Sequence, residues 1–264
     1  MYLPKINLID MKLFRPISLL LLVLPFLFMG CDDDDPITGS GDLKLKFKLK
    51  YGDQTLVMFD NYTYPTGQKM TFSRFSFFLA DVKLKNASGS TSIHDISYHT
   101  LTNSHTGAVQ AANGYDYTIK NVNPGAYTSI LFTLGVPKAS NDKTPADFSN
   151  DHVLSNQAEY WSGWKSYVFT KTEGLIDFDG DGTLEAGYAL HTGANEALRT
   201  IELPANIVIE EGKEAGLTIL IDLKKEFGSN PVYDIETNPQ IHSLSQAPFV
   251  KQLIDNLTTA FSVE

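Results

Sequence analysis

The 264-residue chain has a single cysteine, Cys31, and it stands directly after a run of apolar residues. If export chemistry consumes Cys31, the domain downstream has no disulfide and no thiolate to act as nucleophile or metal ligand. Any soft-metal site must then be built from histidine or methionine. Positive charge is scarce too: 21 Lys and Arg stand against 31 Asp and Glu, for a net charge of −10. So acidic a chain repels nucleic acid and anionic membrane surfaces, and no nucleic-acid partner is expected. There is no Gly-x-Ser-x-Gly elbow, no glycine-rich phosphate loop and no His-x-x-x-His pair. Carboxylates are plentiful, but nothing marks out one pair for glycosidase-type chemistry. The expectation is a protein that is not an enzyme.

The first thirty residues set the compartment. Residues 14–29 are almost wholly apolar apart from Arg15 near their start, preceded by Lys12 and followed by Gly30 and Cys31. A short basic start, an apolar run and a small residue before the cut describe a secretory signal, and Cys31 stands where lipoproteins are acylated. The expected organisation is a lipoprotein signal peptide over 1–30, an acidic flexible tether over 31–42 and one domain over 43–264. Cleavage removes Lys5, Lys12 and Arg15 with Asp10, taking the net charge from −10 to −12. The location implied is the cell envelope, with the outer membrane held through the lipid on Cys31.

The body of the chain reads as β. Residues 43–50 alternate leucine or phenylalanine with lysine, the period of a strand with one buried face. Further strands are expected over 70–84, 117–122, 126–134, 166–171, 198–203, 207–210 and 217–223. Turn sequences such as Asn113-Gly114 and Asn123-Pro124-Gly125 fall between several of them. One helix is expected at the C-terminus, where Pro248 suits a first turn and Phe249, Leu253, Leu257 and Phe261 recur every four residues. The fold class predicted is mainly β, an antiparallel β-sandwich with a C-terminal helix.

Two groups of residues carry candidate chemistry. The loop Asp177-Phe178-Asp179-Gly180-Asp181-Gly182-Thr183-Leu184-Glu185 aims alternating carboxylates at one point, as a calcium loop does. Its twelfth position is Tyr188 instead of a bidentate glutamate, so it is EF-like without being an EF-hand. Asp177, Asp179, Asp181 and Glu185 are the expected calcium ligands. The second group is the six histidines, His94, His99, His105, His152, His191 and His242, of which His242 lies in a polar loop able to fold back over a site. Trp161, Trp164 and Tyr167 are candidate cleft aromatics, or simply core.

The order of several short motifs sharpens these readings. Residues 67–84 form an aromatic strand ending Leu79-Ala80-Asp81-Val82-Lys83-Leu84. After it come Tyr98-His99-Thr100-Leu101, Gly135-Val136-Pro137 with Asn141, Tyr160-Trp161-Ser162-Gly163-Trp164-Lys165-Ser166-Tyr167, and His191-Thr192-Gly193. In this order they resemble the MbnP-like domain family, periplasmic copper-binding proteins of methanobactin gene cassettes, over about 43–261. The resemblance implies copper as cofactor, His99 and His191 as ligands, and a di-haem peroxidase-like partner that in some members oxidises a tryptophan. The tryptophan motif departs from the family pattern, so that last role is assigned to neither Trp161 nor Trp164. The function implied is capture, storage or handover of copper. The rival is a calcium-stabilised adhesion or carbohydrate-binding sandwich that stacks sugars on Trp161, Trp164 and Tyr167.

Overall fold

The computed structural model describes residues 39–242 and 244–264. The expected signal peptide, Cys31 and most of the expected tether lie outside the described residues. In chain order the strands are β1 (Gly41–Tyr51), β2 (Gln54–Thr55), β3 (Tyr62–Thr63), β4 (Lys69–Asn86), β5 (Gly89–Thr100), β6 (Tyr115–Val122) and β7 (Gly125–Leu134). They continue with β8 (Tyr160–Trp161), β9 (Ser166–Ile176), β10 (Ala186–Gly193), β11 (Arg199–Ile209), β12 (Glu214–Asp222) and β13 (Phe261–Val263). Three helices accompany them: α1 (Ala108–Asn113), α2 (Lys138–Asn141) and α3 (Ala247–Thr258).

The strands make two sheets. In the smaller, β13, β12, β1 and β2 follow one another and β6 also pairs with β1. In the larger, the order is β10-β9-β4-β7-β11, with β5, β3 and β8 added at the sides. β4 organises the larger sheet. β5 runs along one of its edges, while β9 pairs with its first half and β7 with its second half on the other. The pairing is antiparallel apart from β1 with β12, which run parallel, and one isolated bridge from Ala189 to Gln240.

The alternation in β1 is realised residue by residue. Leu43, Leu45, Phe47 and Leu49 are buried, and the lysines between them face outward. Those lysines are ion-paired with the flanking strands and the C-terminus: Lys44 with Glu214, Lys46 with Asp116 and Lys48 with Glu264. Exposed pairs of this kind add little stability, but they leave no basic patch on that face. Between the sheets the core is strongly aromatic. Phe47 meets Phe77 edge-on at 5.5 Å, and Phe261 bridges Phe77 and Phe132 at 6.1 and 5.5 Å.

Several expected elements differ in extent, β9 running on from Lys171 to Ile176. The stretches 198–203 and 207–210 form one strand, β11, whose register shifts between Pro204 and Ile207 because proline has no N–H for the ladder. The C-terminal helix stops at Thr258, where the Thr258 and Thr259 hydroxyls donate back to the carbonyls of Asp255 and Asn256. Phe261 then leaves the helical stripe and pairs with Ile221 in β13. β5 had no hydrophobic period to announce it, since Ser90, Ser92, His94 and Ser97 interrupt its apolar positions. α3 buries Val250, Leu253, Ile254 and Leu257 and packs mainly against β10 and β11 and the turns Asn195–Ala197 and Lys225–Phe227.

Candidate metal centre

Sheet register decides which histidines meet. His99 on β5 pairs with Phe77 on β4, Phe77 with Thr170 on β9, and Thr170 with Thr192 on β10. These four residues form one row, are buried, and point between the sheets. The next row is Thr100, Ser76, Lys171 and His191. Successive residues of a strand point to opposite faces, so His99 and His191 lie on opposite sides of the larger sheet. They are also three strand spacings apart, about 14 Å. The expectation of one copper ion shared by His99 and His191 is corrected by this geometry: the pair cannot converge on one ion.

His99 is a core residue. It is 0% exposed, and its ring is enclosed by Phe47, Phe77, Tyr115 and Tyr117. Its Nε2 lies 2.8 Å from the Ser97 hydroxyl, and Nδ1 has no hydrogen-bond partner among the described residues. Burial, aided by nearby His94, pushes its pKa down to about 3, so the ring is neutral. His105 is structural as well, accepting the Leu49 N–H at 3.0 Å through Nε2, with Nδ1 2.9 Å from the Leu101 carbonyl. His94 meets the Tyr117 hydroxyl at 3.1 Å. His152 caps the turn Val153–Ser155 by accepting the Leu154 N–H, and it stacks on Phe148.

His191 sits on the outer face, and the histidine brought to it is His242. The two rings are 5.1 Å apart, edge to face. His242 in turn stacks on Trp161, centroids 5.4 Å apart. The residues before it, Pro239 to Ile241, dock beside β10: the Ala189 N–H donates to Pro239 O, the Ile241 N–H to Ala189 O, and the Gln240 amide to Gly187 O. Ile241 is buried, which fixes where the next residue emerges. The sequence signal for His242 was only its place in a polar loop; the docking depends on backbone pairing that no periodicity records.

Beneath the two rings lies a charged network. His191 Nε2 is 2.9 Å from Glu173 Oε1, and the Arg74 guanidinium approaches the same oxygen at 3.7 Å. Arg74 also donates to the Tyr98 hydroxyl at 3.1 Å and to Glu159 at 3.4 Å. Lys171, directly opposite His191 in register, is turned away, its Nζ 2.6 Å from Glu159 Oε2. The hydrogen bond to His191, with the charges of Arg74, His191 and Lys171, holds the Glu173 carboxyl below the usual carboxylate range against the effect of burial. Burial, with His191 alongside, lowers the pKa of His242.

The aromatic trio divides. Trp161 is 42% exposed, whereas Trp164 is 6% exposed and Tyr167 fully buried. Tyr167 donates to the Leu154 carbonyl at 2.5 Å, and Trp164 packs tightly over Gly193. Tyr167 is therefore a core residue, which corrects its place among cleft aromatics; Trp164 is nearly buried and shows only an edge to a small cavity beside Gly193, Val250 and Lys251. The Gly-Val-Pro motif is structural too. Gly135 adopts φ +116°, and a Cβ there would meet the Phe169 ring at 2.4 Å. Asn141 accepts from the Tyr167 N–H at 2.9 Å and the Ser166 hydroxyl at 3.0 Å.

The acidic loop joins β9 to β10. Donor oxygens of Asp177, Asp179, Asp181 and Glu185 all lie within 4.8 Å of one another. Asp177 is buried and accepts the N–H groups of Gly180 and Gly182, both at 2.8 Å. Asp181 accepts from Thr183 at 2.7 Å. Among the described residues no helix is long and apolar enough to cross a membrane.

Comparison with known proteins places the chain. The family model MbnP matches residues 40–243. Among solved structures, MbnP from Methylosinus trichosporium is similar, at 11% identity over 71% of this chain and 77% of that one, with a TM-score of 0.49. No curated protein matches in sequence. The family model spans well over half of the sequence, and on that ground the chain belongs to the MbnP family.

Proposed function

We propose that this protein binds copper on the outer face of its larger sheet, with His191 and His242 as the two imidazole donors. The observation that carries the reading is their approach, 5.1 Å between ring centroids, on a surface whose lysine is held away by Glu159. Two rings each about 2 Å from one ion through a nitrogen can have such a separation. His99 does not suit the task, its ring being fully buried among Phe47, Phe77, Tyr115 and Tyr117. Imidazole donors without sulfur hold Cu(I) at low coordination, or Cu(II) when oxygen donors join them.

The role is capture, storage or handover of copper in the cell envelope, with the domain tethered through Cys31. Membership of the MbnP family supports copper as the metal and an exported location. The loop of Asp177, Asp179, Asp181 and Glu185 serves as a structural calcium site that pins the hairpin carrying His191. The sugar-binding alternative loses support from the burial of Trp164 and Tyr167.

Metal content tests the reading. The full chain loaded with copper and dialysed should retain about one ion, and the His191→Ala/His242→Ala double variant should retain none. Equal retention by both proteins would overturn it.

A further inference from the structure

We propose that Glu173 is a positioning residue for this site: its carboxylate accepts a hydrogen bond from the Nε2–H of His191 and leaves Nδ1 as the nitrogen with a free lone pair. The proposal rests on the reading of His191 as a ligand, and it adds which atom of the ring meets the metal. It also makes a claim about the metal-free protein that stands or falls without copper.

Glu173 lies opposite Ala189 in the ladder, one same-face position along from Lys171, so it reaches His191 on the diagonal. The contact is 2.9 Å, the length of a true hydrogen bond. An ionised carboxylate can only accept, so the ring must donate from Nε2. The tautomer is thereby fixed: in a neutral imidazole the other nitrogen then carries the lone pair. Metal-bound histidines are commonly held in this way by a carboxylate on the far nitrogen.

The carboxylate is itself anchored. On the β4 side it faces Arg74, directly opposite in register and 3.7 Å away. Arg74 is held in turn by the Tyr98 hydroxyl and Glu159, and Tyr98 donates to Ser76 at 2.8 Å. Lys171 stands nearest to His191 in register and would be the natural competitor for Glu173. It is occupied by Glu159 and the Ala158 carbonyl instead. Two acids and two bases are thus sorted so that Lys171 pairs with Glu159 while the Glu173 carboxylate bonds the histidine ring.

Nitrogen-15 NMR of the imidazoles in the metal-free full chain, at a pH well above the ordinary imidazole range, tests the claim. Wild-type His191 should show a pyrrole-type Nε2 and a pyridine-type Nδ1, and Glu173→Gln should shift it toward a mixture of tautomers. In a copper competition titration, Glu173→Gln should weaken binding about 10- to 100-fold. A pyridine-type Nε2 in the wild type would overturn the proposal even if Glu173→Gln failed to fold. So would a Glu173→Gln protein with unchanged tautomer and unchanged affinity. The expected tautomers in a wild type that takes up no copper would uphold the role of Glu173 on the ring and defeat the copper reading instead.

Discussion

At the scale of single residues, burial separates the two histidines that the motifs singled out. His99 contributes a ring to the core and a neutral nitrogen without a partner among the described residues. His99→Ala should cost about 2–4 kcal/mol in denaturant melts through the cavity it opens, while copper retention stays at the wild-type level. Glu226 shows the opposite shift. It is fully buried with, among the described residues, only the Thr172 hydroxyl against its oxygens, at 2.9 and 3.0 Å, and burial raises its pKa to about 8. Between the ordinary carboxylate range and about pH 8 the unfolded chain has lost this proton while the fold retains it, so stability falls as pH rises. Glu226→Gln keeps the shape and removes the linkage. The variant should gain on the wild type by about 1.4 kcal/mol per pH unit within that window. Urea melts at pH 5 and pH 7.5 that gave the same difference would contradict this account of Glu226.

Between residues and the whole stand the hairpin β9–β10 and the segment docked beside it. β9 and β10 carry Glu173 and His191, their turn is the acidic loop, and the edge of β10 receives the segment before His242. Calcium in the loop would bind the folded state alone and raise stability by mass action. Millimolar Ca²⁺ should therefore raise the melting temperature by several degrees, and Asp179→Asn with Asp181→Asn should abolish the rise. These two residues are exposed, so their replacement spares the buried turn made by Asp177. A calcium-independent melting curve would show that the loop is only a solvated turn.

Much of this level was legible beforehand. β1 and β12 follow period-two patterns, and α3 follows its four-residue stripe. What was not legible depends on partners distant in sequence. The parallel pairing of β1 with β12 joins residues 172 positions apart, and nothing local encodes it. The same holds for the site. The Asp loop is contiguous and could be read directly; the meeting of His191 with His242 requires Ile241 to be buried against β10. Motif order singled out His191 and His99 together, but the register sets them on opposite faces, because motifs carry no parity. A single-residue step along a strand separates the core from the surface.

For the molecule as a whole, one sandwich turns two unlike faces of its larger sheet to different ends. The inner face, with Phe75, Phe77, His99 and Thr170, makes the fold; the outer face, with Arg74, Glu173, His191 and the Trp161–His242 stack, holds the proposed copper site. The central claim is that copper binding belongs to the outer face alone. Its most direct test is a copper competition titration of the full chain alongside the His191→Ala, His242→Ala and His99→Ala variants. The account predicts that each outer-face variant loses binding by more than tenfold and that His99→Ala binds as the wild type does. Loss of binding on removing His99, with His242→Ala unaffected, would contradict it.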